Sequence, residues 1–123
     1  MLNANDPEQA NCLAWFIAAA TADAPIVAPG LMFSEVAAAI SRGRSDAELA
    51  KAVVRTLEAS AVVRLVAVTP QLAKRAAIIG ADQRVRYADA LYPALAQQLD
   101  DMLVTLNRQQ LQRGAAVVAT QRP

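Results

Sequence analysis

A chain of 123 residues with 55% hydrophobic and 19% charged residues carries enough apolar material for one small packed domain and is too short for two. Its formal charge of +1 implies no strongly acidic or basic partner, and the complete absence of histidine excludes Ser-His-Asp and Cys-His catalysis and the His-bearing zinc sites. The single cysteine, Cys12, allows no internal disulfide and fits a reducing compartment, and no apolar run reaches the roughly 18 residues that a membrane span needs.

The N-terminus, Asn3 to Glu8, is polar and lacks the basic-then-apolar order of a signal peptide, so a soluble, cytoplasmic setting is expected. Asn5-Asp6-Pro7-Glu8 reads as a helix start: an acceptor side chain at the cap, Pro in the first turn, then an acid near the positive end of the dipole. That helix is expected to run to about Ala22, with Leu13, Phe16 and Ile17 inward and Ala20 beside them. Pro25 to Pro29 encloses Ile26-Val27, a short buried strand. Gly30 opens a second helix, Leu31 to about Arg42, which Gly43 is expected to stop. Ser45-Asp46-Ala47-Glu48 has capping-box spacing, with Ser at the cap and Glu three residues later, and predicts a helix to about Ala59.

Val62 to Val68 is β-branched and nearly continuous, the strongest strand pattern in the chain. Thr69-Pro70 caps a helix to about Gly80, and Asp82 to Arg86 reads as a polar connection. A helix follows from about Tyr87 to Leu99, then a short strand, Leu103-Val104-Thr105. A short helix from about Arg108 to Arg113 leads through Gly114 to a last strand, Ala116 to Ala119. Strands near 26–27, 62–68, 103–105 and 116–119 thus alternate with helices, which predicts an α/β fold with a parallel sheet and helices on its faces. No internal repeat, low-complexity linker or domain boundary stands out, so residues 1–123 read as a single domain. The four glycines, at 30, 43, 80 and 114, are scattered and form no phosphate-cradling loop, which leaves little room for a nucleotide-type small-molecule site.

Most acids have an ordinary structural explanation. Asp6, Asp46 and Glu48 belong to helix starts, Asp100 and Asp101 to a solvated turn, and Glu58 to a solvent face. Glu35 and Asp89 are the informative ones. Glu35 is the only acid of its helix, and Ala38 and Ala39 follow at i+3 and i+4, leaving room for something bulky such as a hydrated metal. Its plain alternative is a surface Glu on an Ala-rich helix. Asp89 stands in the first turn of its helix, beside the stripe Ala88, Leu91, Tyr92, Leu95, Leu99. An acid there also complements the helix dipole. Pro93 cannot donate to the carbonyl four residues back, that of Asp89, which predicts a local distortion. Thr105 and Asn107 follow a strand end, where sites gather in open parallel sheets, although Asn107 equally reads as the N-cap of the 108–113 helix.

The segments IVAPGLMFSEVAAAISRG, YADALYPALAQQL and LVTLNRQQLQRGAAVV, in that order, resemble the PIN-domain family, in particular the VapC-like toxins of bacterial toxin–antitoxin pairs. The resemblance covers nearly the whole chain. It implies a PIN-like fold of three layers, α/β/α, around a short parallel sheet. It also implies Mg²⁺- or Mn²⁺-dependent hydrolysis of RNA phosphodiesters, with a cognate antitoxin as partner. By resemblance Glu35 and Asp89 are metal ligands, Thr105 is a supporting hydroxyl, and Asn107 stands where the family pattern, a strand ending in Thr-x-Asp, carries its last acid. A carboxylate-held hard cation activates water and neutralises phosphate charge without histidine or cysteine, as this composition requires. Arg84, Arg86 and Arg108 are candidates for contact with RNA phosphates.

The chain departs from the family pattern twice. The family's first central strand, which ends in an Asp, has no counterpart here, because Met1 to Asp6 is short and polar and Asp6 belongs to the helix start. Asn107 brings an amide oxygen without charge, which implies weaker cation binding. The first departure leads to the expectation of a first central strand missing from the sheet, with a chain that is marginal alone, or forms a homodimer through the gap, or has a misplaced start. Together the departures raise an alternative to the ribonuclease: a non-catalytic PIN-like interaction module that binds an antitoxin or a second copy.

Overall fold

Local capping chemistry sets the helix boundaries of this chain. The computed structural model describes the backbone of residues 7–22 and 24–123, and it leaves out the side chains at 7–10, 12, 13, 16 and 87. The residues divide into two units, Met1–Val66 and Ala67–Pro123. In the first, α1 (Pro7–Thr21) precedes β1 (Ile26–Pro29), α2 (Met32–Arg44), α3 (Ala47–Ala59) and β2 (Val63–Val66). In the second, α4 (Pro70–Gln83) leads to a 3₁₀ turn (Tyr87–Ala90), α5 (Leu91–Gln98), β3 (Leu103–Val104), α6 (Arg108–Arg113), a second 3₁₀ turn (Gly114–Ala116) and β4 (Thr120–Gln121).

The α/β expectation holds, and every strand pairing is parallel. β1 pairs with β2, Ile26 opposite Val63 and Pro29 opposite Val66, and the ladder extends at both ends through Ile26 N–H to Val62 O and Gly30 N–H to Val66 O. β3 pairs with β4, Leu103 opposite Thr120, flanked by Leu103 N–H to Ala119 O and Thr105 N–H to Gln121 O. Among the described residues the four strands therefore pair two by two. In the first unit Ala28, Pro29, Ile40 and Ala50 are buried; in the second, Leu72, Ala76, Ile79, Val85, Ala90, Pro93, Ala94, Leu95 and Leu103 are. Among the described residues no helix is long and apolar enough to cross a membrane.

Several boundaries differ from expectation for physical reasons. Gly43 does not stop α2, which ends one residue later with Ser45 in the left-handed region at φ 51°. A residue so placed cannot also be an N-cap, which needs extended backbone, so the cap of α3 moves to Asp46, whose carboxylate accepts from Leu49 N–H at 2.9 Å. Glu48 instead meets Lys51 across 3.2 Å on an exposed face. Gly80 likewise lies inside α4, which runs on to Gln83 and ends at Arg84, φ 55°. The chain then folds back, and a Cβ at Gly80 would stand 3.2 Å from the carbonyl oxygen of Val85. Gly80 is there for close approach, and the connection shrinks to Arg84–Arg86.

The last strand forms at Thr120–Gln121 and not at 116–119, because Val117 and Val118 both donate their N–H to Gly114 O and are used in closing the 3₁₀ turn. Ile17 and Ala20, expected inward, are exposed, Ile17 at 54%. The cap proposed at Asn5-Asp6 and the side chains of Leu13 and Phe16 lie outside the described residues.

Thr69 caps α4 as expected, its hydroxyl accepting from Leu72 N–H at 3.1 Å. Leu72 is 0% exposed and Ile78, on the same helix, 62%. Leu72→Ala is therefore expected to lower the unfolding free energy by about 2–5 kcal/mol and Ile78→Ala by less than about 0.5 kcal/mol. Urea denaturation of the two variants checks the contrast, and equal losses would contradict this core.

Candidate functional site

The second unit gathers Asp89, Thr105 and Asn107 into one hydrogen-bonded ring and adds a residue the sequence reading did not single out, Gln110. The helical segment that begins at Tyr87 starts as a 3₁₀ turn and becomes α-helical at Leu91, so Asp89 sits in the tight turn and Pro93 in the first turn of α5. Pro93 has no N–H, and the Asp89 carbonyl loses its i+4 donor. The distortion expected beside Asp89 is this 3₁₀ turn. The carbonyl is met from α6: Gln110 Nε2 donates to Asp89 O at 2.9 Å. Gln110 is 5% exposed, a polar side chain buried in the core.

The other members close the ring. Asn107 is the N-cap of α6, with φ −69° and ψ 121°, and its Oδ1 accepts from Gln110 N–H at 3.1 Å. Its own N–H donates to Thr105 Oγ1 at 3.0 Å. The Thr105 hydroxyl, already an acceptor, turns its proton to Gln110 Oε1 at 2.6 Å. Asn107 Nδ2 donates to Asp89 Oδ2 over 3.4 Å, a long contact.

These bonds also fix both amide orientations. A carbonyl can only accept, so the atom of Gln110 that faces Asp89 O must be nitrogen. Asn107 Oδ1 is engaged by a main-chain N–H, which leaves Nδ2 to face the Asp89 carboxylate.

Gln110 had two signals in the sequence. It stands three residues after Asn107, the capping-box spacing for Gln, and Pro93 announces a carbonyl in need of a donor. In an ordinary capping box the Gln side chain would return to the cap residue's N–H. Here Thr105 Oγ1 takes that N–H, and Gln110 is released to serve Asp89.

Glu35 lies in the first unit, in the first turn of α2, half-buried, with its N–H donating to Leu31 O at 3.1 Å. Arg86 directly precedes the 3₁₀ turn that carries Asp89, Arg108 is the first residue of α6 directly after Asn107, and both are exposed. Arg84, also exposed, accepts at its carbonyl from Arg113 Nη1 at 2.5 Å, which ties α6 to the end of α4. A groove of about 460 Å³ along α4, lined by Arg75, Asp82 and Gln97 among others, includes none of the ring residues.

Among the described residues no group of three or more His, Cys, Asp or Glu side chains could hold a metal ion. The ring supplies one carboxylate, Asp89. The Asn107 and Thr105 oxygens beside it are already engaged as acceptors. Such a donor set fits a hard cation that keeps most of its water and takes one or two carboxylates plus substrate phosphate, which is the habit of Mg²⁺. It does not fit a cation that requires a full protein cage.

A family model for the PIN domain matches residues 1–116. Comparison with curated proteins and with solved structures returned no match. PIN domains are of nuclease type, generally use divalent metal ions and commonly bind RNA. With 116 of its 123 residues covered by that family's pattern, the chain belongs to the PIN domain family.

Proposed function

We propose that this PIN domain is a ribonuclease of the VapC type with a weakened cation site, in which Glu35 and Asp89 are the carboxylates for Mg²⁺ or Mn²⁺. The observation that carries the reading is the convergence of Asp89 with Thr105 and Asn107, 16 and 18 positions later, on one ring. When bound, the ion would activate water against an RNA phosphodiester and offset charge on the phosphate oxygens. The chain's own contributions are local. Asp89 brings the charge, Asn107 and Thr105 hold the turn beside it, and Arg86 and Arg108 offer cationic side chains to phosphate. A cognate antitoxin, a homodimeric state and a cytoplasmic setting belong to the same reading, the last supported by the lone thiol of Cys12.

A second reading rests on a specific contact. Asn107 Nδ2 directs an N–H at Asp89 Oδ2, where a second acid would leave room for a cation. This favours a non-catalytic PIN-like module that keeps the fold for binding an antitoxin or a second copy. Titration with Mn²⁺ and incubation with single-stranded RNA separate the two. Weak, saturable binding with RNA cleavage, both reduced by Glu35→Ala and by Asp89→Ala, supports the ribonuclease. Failure to bind at several millimolar Mn²⁺, together with intact RNA, supports the module.

Asn107→Asp sharpens the test. It keeps the Oδ1 cap and replaces Nδ2 with an oxygen facing Asp89. Without metal the two carboxylates repel and the variant is expected to melt below the parent. With Mn²⁺ it is expected to regain stability and to bind at least about tenfold more tightly, since one added charge beside the ion is worth a few kcal/mol at an effective dielectric of about 20. Unchanged affinity in Asn107→Asp would remove this residue from the site.

A further inference from the structure

Gln110 raises a question that the ribonuclease reading does not answer. It is a buried amide on a six-residue helix, and it spends its donor on a backbone carbonyl 21 positions away. In an unbroken helix that carbonyl would receive the N–H of residue 93. Pro93 withholds it, and Pro93 is itself fully buried, with its Cβ 3.8 Å from where a side chain on Gly114 would begin. The turn that carries Asp89 keeps its own backbone bonds, Ala90 N–H to Arg86 O and Leu91 N–H to Ala88 O, and is pinned in addition by a side chain from α6. We propose that Gln110 is a positioning residue for Asp89: through Nε2 it replaces the hydrogen bond that Pro93 removes, and it thereby sets the direction in which the carboxylate leaves the 3₁₀ turn toward Asn107. The proposal rests on Asp89 being the functional carboxylate of the site.

Two features separate positioning from ordinary core satisfaction. The first is that both ends of the Gln110 amide are engaged, Oε1 by the Thr105 hydroxyl and Nε2 by Asp89 O, so the side chain cannot rotate without breaking both contacts. The second is that the donor it supplies has a natural substitute, a main-chain N–H at position 93. Pro93 and Gln110 are therefore coupled through the same acceptor, and removing one changes what removing the other does.

The test is a double-mutant cycle of Gln110→Met and Pro93→Ala. Met keeps the volume and removes both amide groups; Ala restores the N–H four residues after Asp89. The readout that reports on the contact with Asp89, and not on stability alone, is the side-chain amide NMR resonance of Asn107, whose Nδ2 faces Asp89 Oδ2, compared between the two backgrounds. Gln110→Met is expected to shift that resonance toward the position of a solvent-exposed amide. In the Pro93→Ala background the same substitution is expected to leave it close to its Pro93→Ala position. The shift in urea midpoint caused by Gln110→Met is likewise expected to be smaller in that background.

An unmoved Asn107 resonance in folded Gln110→Met, or an equal shift in both backgrounds, overturns the proposal. Should Gln110→Met alone fail to fold, the double variant decides: a folded protein with the Asn107 resonance kept supports positioning, and an unfolded one overturns it. None of these measurements uses metal. Absence of Mn²⁺ binding by the parent would therefore count against the ribonuclease reading, whereas the position of the Asn107 resonance judges Gln110.

Discussion

The constraint on which the second unit turns is a carbonyl that its own helix cannot serve. Pro93 fixes its φ and has no N–H, so the oxygen of Asp89 cannot receive the α-helical bond from residue 93. The donor is Gln110 Nε2, and accepting it binds α6 to the 3₁₀ turn. The remaining contacts of the ring follow from that choice. With Gln110 committed, Thr105 takes the cap residue's N–H and gives its proton to Gln110 Oε1, and Asn107 Nδ2 is left to donate to the Asp89 carboxylate.

The electrostatic result is a site with half the charge that an Asp pair would carry. An amide nitrogen beside a carboxylate relieves the charge without a cation, whereas two carboxylates at such a distance would need one. The ring is therefore self-satisfied, and a divalent ion has less to gain by entering it. This one difference between nitrogen and oxygen at position 107 is what separates the two proposed readings, a ribonuclease of weakened affinity and a binding module. PIN family membership supports the general nuclease architecture and leaves this local balance to the residues themselves.

Much of the fold could be read locally. Thr69 and Pro70 announced a capped helix, and the hydroxyl does accept Leu72 N–H. The β-branched run at 62–68 marked the strand that pairs with Ile26–Pro29. Pro93 announced a distortion at Asp89, and the 3₁₀ turn is there. Gly43 and Gly80 look like helix ends in the sequence, yet both lie inside their helices: Val85 folds back onto Gly80, whereas nothing approaches Gly43 within 4 Å. Ser45 was read as a cap, but its backbone is used to turn the chain, which moves the cap to Asp46. Val117 and Val118 looked like strand and instead close a turn on Gly114.

The amino-acid order by itself determined the demands: where helices start, where β-branched residues extend, which carbonyl Pro93 leaves short of a donor, and which acids lack a structural excuse. These are set by dihedral preference, side-chain branching and hydrogen-bonding capacity within a few residues. Only the tertiary structure decided how the demands are met. That the donor for Asp89 comes from Gln110, and that the amide of Asn107 turns its nitrogen toward the Asp89 carboxylate, depends on α6 packing against a turn about 20 positions earlier. Several side chains in the sequence could have served that carbonyl, and the choice among them belongs to packing, since a hydrogen bond forms only when donor and acceptor are held within about 3 Å and in line.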